Sequence, residues 1–252
     1  MIEIAGVSLA LGGSRILDNV NLTVPKGGVT ALVGPNGAGK SSLLSLIARL
    51  RPLQSGRITV DGLPVDTTPS RQLARIMAIL RQDPGVASRL RVAELVGFGR
   101  FPHNRGRLTA KDREIIAASL EQFDLSDLAL RFIDTLSGGQ RQRALVAMTF
   151  CQGTDYILLD EPLNNLDMFH ARNLMRTLRR IADEHGKTVL IVLHDINHAA
   201  SYADRIVAMK DGTVIASGQT GDIIRPDILE SIFGFSMRVE NIAGRLTVLH
   251  HA

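Results

Sequence analysis

Apolar positions along the chain follow two rhythms, and the switches between them outline the architecture. Ile2-Glu3-Ile4 and Val20-Asn21-Leu22-Thr23-Val24 alternate apolar and polar residues, the period-two mark of half-buried strands. After a Pro25-Lys26-Gly27-Gly28 turn, Val29-Thr30-Ala31-Leu32-Val33 is short and β-prone, as a buried strand should be. Residues 42–50 then carry good helix formers with no Gly or Pro, and Pro52 stops the helix. Residues 56–62 predict a further strand ending in a turn. Ile76-Met77-Ala78-Ile79-Leu80 predicts a buried strand that breaks at Arg81-Gln82-Asp83-Pro84.

Residues 85–152 change to helical periodicity. Thr109, with Asp112 three positions on, is a candidate N-cap for the helix through Ile115, Ile116 and Leu120. Tyr156-Ile157-Leu158-Leu159 returns to a run apolar on both faces. A helix at 168–184 follows, with Gly186 at its end, and then a second fully apolar strand at 188–193 leading to His194-Asp195. Asp211-Gly212 inside 205–217 predicts a hairpin. The tail predicts a short helix and a hairpin of 237–241 with 246–250. Strands alternating with helices imply a three-layer α/β lobe from 1–84 and 153–220, interrupted by a helical segment at 85–152 and followed by a tail at 221–252.

Composition narrows the function classes. A chain of 252 residues, 45% hydrophobic and 21% charged, can bury a substantial core. Its net charge of +4 suits an anionic ligand or a membrane-surface partner, but it has no dense Lys/Arg block, 4% aromatic residues and no Trp, so no nucleic-acid partner is expected. Cys151 is the sole cysteine and lies in an apolar helical stretch, which predicts a buried structural thiol and a reducing compartment. Met1-Ile2-Glu3-Ile4 lacks a signal-peptide layout, and no stretch approaches the roughly 18 apolar residues of a membrane span. Any membrane role is expected to come through a partner.

Three constellations carry chemistry. Gly34-Pro35-Asn36-Gly37-Ala38-Gly39-Lys40-Ser41 reads G-x-x-x-x-G-K-S between a strand and a helix that continues with Ser42. The glycines let backbone N–H groups turn toward phosphate oxygens, Lys40 can reach the β- and γ-phosphates, and the Ser41 hydroxyl can ligate Mg²⁺. The apolar strand ending in Asp160-Glu161 offers one acid to hold Mg²⁺ through water and a second to polarise an attacking water. Leu136-Ser137-Gly138-Gly139-Gln140 starts a helix with unobstructed N–H groups, a second anion-binding end.

The order of these motifs, with Gln82 after a strand, Asn165-Leu166-Asp167 and His194, resembles the ATP-binding cassette ATPases, the motor subunits of ABC transporters. The resemblance spans about residues 2–220. It implies a P-loop NTPase (RecA-like) α/β core with an antiparallel β subdomain and an inserted α-helical subdomain. It further implies a Mg²⁺-dependent ATPase forming a head-to-tail homodimer, each ATP lying between one phosphate loop and the partner's 137–140 segment. Gln82 would sense Mg²⁺ and the attacking water, His194 would contact the γ-phosphate and support Glu161, and Asp167 would lie at the seam. Two features depart from the family pattern. Leu11 stands about where an aromatic residue usually stacks on adenine, and Asn164-Asn165 replaces the usual Ser-Ala.

The stretch Glu94-Leu95-Val96-Gly97-Phe98-Gly99-Arg100-Phe101-Pro102-His103 resembles ATPases of iron–siderophore importers, as does Glu161-Pro162-Leu163-Asn164-Asn165-Leu166-Asp167. That implies two transmembrane permease subunits, an indirect link to a substrate-binding protein, and a place at the cytoplasmic face of a bacterial inner membrane. Haem or vitamin B12 import, and a soluble cassette ATPase without a transporter, remain alternatives.

Overall fold

The computed structural model describes residues 1–82, 89–164 and 166–250. The expected break at Asp83-Pro84, Asn165 and the last two residues lie outside them. Packing divides the chain into two units, residues 1–68 with 188–252, and residues 69–187. The first unit begins with β1 (Ile2–Leu11), β2 (Ser14–Val24), β3 (Gly28–Val33), α1 (Lys40–Ile47), β4 (Arg57–Val60) and β5 (Leu63–Pro64). The second holds α2 (Ser70–Ile76), β6 (Met77–Leu80), α3 (Val92–Phe98), α4 (Phe101–Asn104), α5 (Ala110–Gln122), α6 (Gly138–Cys151), β7 (Tyr156–Leu159) and α7 (Met168–His185). The chain then returns to the first unit with β8 (Thr188–Val192), α8 (Ile196–Tyr202), β9 (Arg205–Lys210), β10 (Thr213–Gln219), α9 (Thr220–Ile223), α10 (Pro226–Phe233), β11 (Arg238–Ile242) and β12 (Arg245–Leu249).

In the first unit, β2-β1-β4-β5 form an antiparallel sheet, with β1 and β2 joined through a two-residue Gly12-Gly13 turn. Both strands run longer than the short alternating runs predict, because register shifts between Ile4 and Ala10 let the hairpin continue through a less regular pattern. A second set runs β10-β9-β3-β8, with β3 parallel to both β8 and β9. This central place explains why Val29, Ala31, Leu32 and Val33 are all buried and why the sequence shows no alternation there. The Asp211-Gly212 turn joins β9 to β10 as expected, with positive φ at both residues.

The tail packs its β11–β12 hairpin on α8. Asn197 of α8 treats Val248 as a strand neighbour would: its Nδ2 donates to the Val248 carbonyl at 3.1 Å, and its Oδ1 accepts from the Val248 N–H at 2.8 Å.

In the second unit, β6 and β7 pair in parallel from Met77 against Tyr156 to Leu80 against Leu159. The expected strand starts one residue late because Ile76 closes α2, a helix the apolar run conceals. Leu95, Val96, Ile116, Leu120, Leu145 and Val146 bury the facing sides of α3, α5 and α6. Thr109 caps α5 by a reciprocal box with Asp112, as the sequence predicts. Asp112 also accepts at 3.0 Å from Nε of the buried Arg100, whose Nη1 donates to the Cys151 carbonyl at the end of α6. Hydrogen bonds from the Thr109 backbone N–H, then the Thr109 hydroxyl and the Arg100 guanidinium, hold the Asp112 carboxyl well below the usual carboxylate range. Cys151 is buried, and that burial pushes its thiol pKa up.

The α/β core, the antiparallel sheet and the helical segment implied by the resemblance are thus all present. The packing units cut the chain at 68/69 and 187/188, at other points than the lobes drawn from sequence, because β6 and β7 cluster with the helices between them.

Candidate nucleotide site

The phosphate loop leaves the C-terminal end of β3. Gly34 has φ 141, and a Cβ there would stand 2.0 Å from the Met209 carbonyl oxygen, so the backbone of β9 forbids any side chain. Asn36 and Gly37 form the exposed crest, while Ala38, Gly39 and Lys40 are buried. The Lys40 ammonium donates to the Gly34 and Pro35 carbonyls at 2.8 Å each, so the side chain folds back along its own loop. Gly39 is the N-cap of α1 at φ 94, a left-handed conformation, and a Cβ there would lie 2.9 Å from the Ile16 carbonyl. A glycine N-cap supplies no side chain to the first-turn N–H groups, and that turn carries no acid. The end of α1 therefore keeps its partial positive charge for an outside anion, with the half-buried Ser41 and Ser42 hydroxyls on the same turn.

In the second unit the two acids follow β7 directly. Asp160 is buried, and its N–H donates to the Leu80 carbonyl of β6 at 2.9 Å. Glu161 has φ 50, a region few non-glycine residues occupy, so the chain turns sharply there. Its carboxylate Oε2 accepts from Gln82 Nε2 at 2.7 Å and from Asn164 Nδ2 at 2.6 Å. The structure thus brings Gln82 and Glu161 together. It adds Asn164, which sequence reasoning noted as a departure from pattern but gave no task. The available signal was an amide three positions after a strand-end Glu, with Pro162 between them to favour a turn.

Ser137 caps α6 through a reciprocal box: its hydroxyl accepts from the Gln140 N–H at 3.3 Å, and the Gln140 side chain accepts from the Ser137 N–H at 3.1 Å. The Gly138 and Gly139 N–H groups between them have no intrahelical partner by position. A Cβ at Gly139 would lie 3.4 Å from Leu166 and 3.5 Å from His170, so this segment packs beside the start of α7. There Asp167 is the N-cap, accepting from the His170 backbone N–H at 2.8 Å and facing the His170 ring. Those contacts hold its carboxyl below the usual range, the backbone bond first. Back in the first unit, His194 is exposed just past β8, and Asp195 caps α8 through the Asn197 N–H. Leu11 is half-buried at the end of β1.

Among the described residues no three His, Cys, Asp or Glu side chains gather as a metal cage. Ser41 in the first unit, and Gln82 and Asp160 in the second, each carry an oxygen donor of the kind Mg²⁺ takes. The chemistry of each of these donors fits that ion.

Residues 17–164 match the family model described as ABC transporter. The chain is 47% identical over 244 residues to a petrobactin import ATP-binding protein of Bacillus anthracis, covering 97% of each chain. It is 45% identical over 242 residues to a petrobactin import ATP-binding protein of Bacillus subtilis, 96% of each. A ferric enterobactin transport ATP-binding protein of Escherichia coli is 36% identical over 230 residues, 90% of this chain and 85% of that one. Among solved structures, a dimeric ATP-binding cassette in a post-hydrolysis state with ADP and Pi superimposes with a TM-score of 0.78 at 28% identity, covering 87% of this chain and 99% of that one. With a family match over more than half its length, on a phosphate loop where Gly34 and Gly39 leave no room for a side chain, the chain belongs to the ABC transporter family as an ATPase subunit.

Proposed function

We propose that this chain is the energy-coupling subunit of an importer for ferric siderophores. The observation that carries the cargo is its near end-to-end similarity to ATP-binding proteins whose names specify import of petrobactin and transport of ferric enterobactin. In this reading the main-chain N–H groups of 34–41 and Lys40 hold the triphosphate, and Ser42 adds a hydroxyl at the same helix end. Mg²⁺, taken by Ser41, Gln82 and Asp160, would offset charge on the phosphate oxygens. Glu161 acts as general base toward the attacking water, and His194 supports the γ-phosphate side. Leu11 offers apolar contact to the adenine in place of stacking. Ser137, Gly138, Gly139 and Gln140 close over the ATP of a second copy, with Asp167 at the seam.

The chain works at the cytoplasmic face of the membrane through two permease subunits. The apolar groove lined by Leu90, Gly97, Phe98, Phe101 and Leu108 supports that partner. Phe98 and Phe101 are more than half exposed, which removes them from the core of the helical segment. No helix among the described residues is long and apolar enough to cross a membrane by itself.

The test is uptake of radiolabelled ferric siderophores by cells lacking this chain. Wild type should restore uptake and Glu161→Gln should not. Normal uptake in the deletion strain, with no second cassette expressed, overturns the cargo; restored transport of haem or vitamin B12 instead would redirect it.

A further inference from the structure

Asn164 sits where it can govern the carboxylate of Glu161 from within the same turn. The Asn164 N–H donates to the Glu161 carbonyl at 3.2 Å, closing a four-residue turn with Pro162 at its second position, where the fixed φ of proline favours turning. The positive φ of Glu161 and this closure fold the Asn164 side chain back onto the carboxylate it follows. Its Nδ2 lies 2.6 Å from Oε2, the oxygen that also accepts from Gln82 at 2.7 Å. An ionised carboxylate only accepts hydrogen bonds, so both amides must present their NH₂ ends, and their orientation is fixed by the chemistry of Glu161.

The two donors differ in origin. Gln82 stands two residues beyond β6 and is exposed; Asn164 is half-buried and belongs to the chain segment that carries Glu161. A bond from the same turn travels with the base, whatever becomes of Gln82 when nucleotide arrives. We propose that Asn164 is a positioning residue that orients the Glu161 carboxylate for attack on ATP. This rests on the reading of Glu161 as general base. Asn164 touches the base and not the substrate, so it should affect the chemical step and leave nucleotide affinity alone.

The test is Mg-ATP hydrolysis and fluorescent-nucleotide binding by the purified full-length chain carrying Asn164→Ala, Asn164→Asp, Glu161→Gln and the double variant Glu161→Gln/Asn164→Ala. Asn164→Ala should lower kcat about tenfold or more, the loss expected for one bond to a charged group, with KM and nucleotide Kd within twofold. Asn164→Asp should fall further, since a second carboxylate repels the first. In the Glu161→Gln background, Asn164→Ala should leave the residual rate unchanged, because the group it orients is already disabled. The proposal is overturned if Asn164→Ala keeps kcat within twofold, or if its loss persists in full without Glu161. It also falls if nucleotide affinity drops as much as kcat, which marks a merely structural role. Wild-type turnover by Glu161→Gln would instead overturn the base assignment itself, so the two failures are read from different variants.

Discussion

Glu161 is the residue on which turnover should depend most sharply. General-base catalysis contributes about 10²–10⁴-fold, so Glu161→Gln should lose at least that factor in kcat while still binding ATP, as measured by phosphate release and nucleotide titration. Gly34 should be equally intolerant for a different reason. Gly34→Ala would place a methyl 2.0 Å from the Met209 carbonyl in a backbone conformation that L-residues avoid. Overpacking and strain together should cost about 2–5 kcal/mol, read as a lower denaturant midpoint. At this scale Lys40, Ser41 and Glu161 stand out in the sequence because a phosphate-binding reading dictates their spacing. Asn164 did not, since its task is defined by a turn closing in space and by a positive φ that no periodicity encodes.

Between residues and the whole, Arg100, in the turn between α3 and α4, links α5 to α6 through a buried ion pair with Asp112 and a hydrogen bond to the Cys151 carbonyl, a link that periodicity does not reveal. Arg100 and Asp112 are twelve positions apart, in segments whose apolar residues are what the pattern records. The helix cap at Thr109 was legible, because Thr-x-x-Asp is local; the arginine it recruits was not, because that contact is tertiary. Since the folded-state pKa of Asp112 is depressed, its stabilisation is complete above the unfolded value of about 3.9 and is lost as pH falls below that toward the folded value. Urea midpoints measured from about pH 5 down to pH 2 should therefore decline in wild type, and the part due to Asp112 should vanish in Asp112→Asn. That variant should also be less stable at neutral pH by about 3–5 kcal/mol, because it strands the buried Arg100 charge.

For the whole molecule, each chain carries a phosphate loop at the start of α1 and a glycine-flanked helix end at the start of α6. A dimer that sandwiches nucleotide should form when hydrolysis is blocked. Glu161→Gln with Mg-ATP is expected to shift from monomer to dimer by light scattering, and Glu161→Gln combined with Lys40→Ala is not. The parallel core was readable from its fully apolar strands, and so was the helical segment from its change of period. The division into packing units was not, because β6 and β7 look like other core strands yet cluster with the helices they enclose.

The link between Asn197 and Val248 has a consequence for measurement. Both backbone polar groups of Val248 face one side-chain amide, so the Val248 N–H is shielded from solvent by a single residue three positions after His194. Its deuterium exchange should follow the opening of that one contact and not the fraying of the hairpin ladder. Val248 is thus a built-in isotopic clock for α8, and its ticking with and without nucleotide reports whether the segment after His194 tightens when ATP is bound.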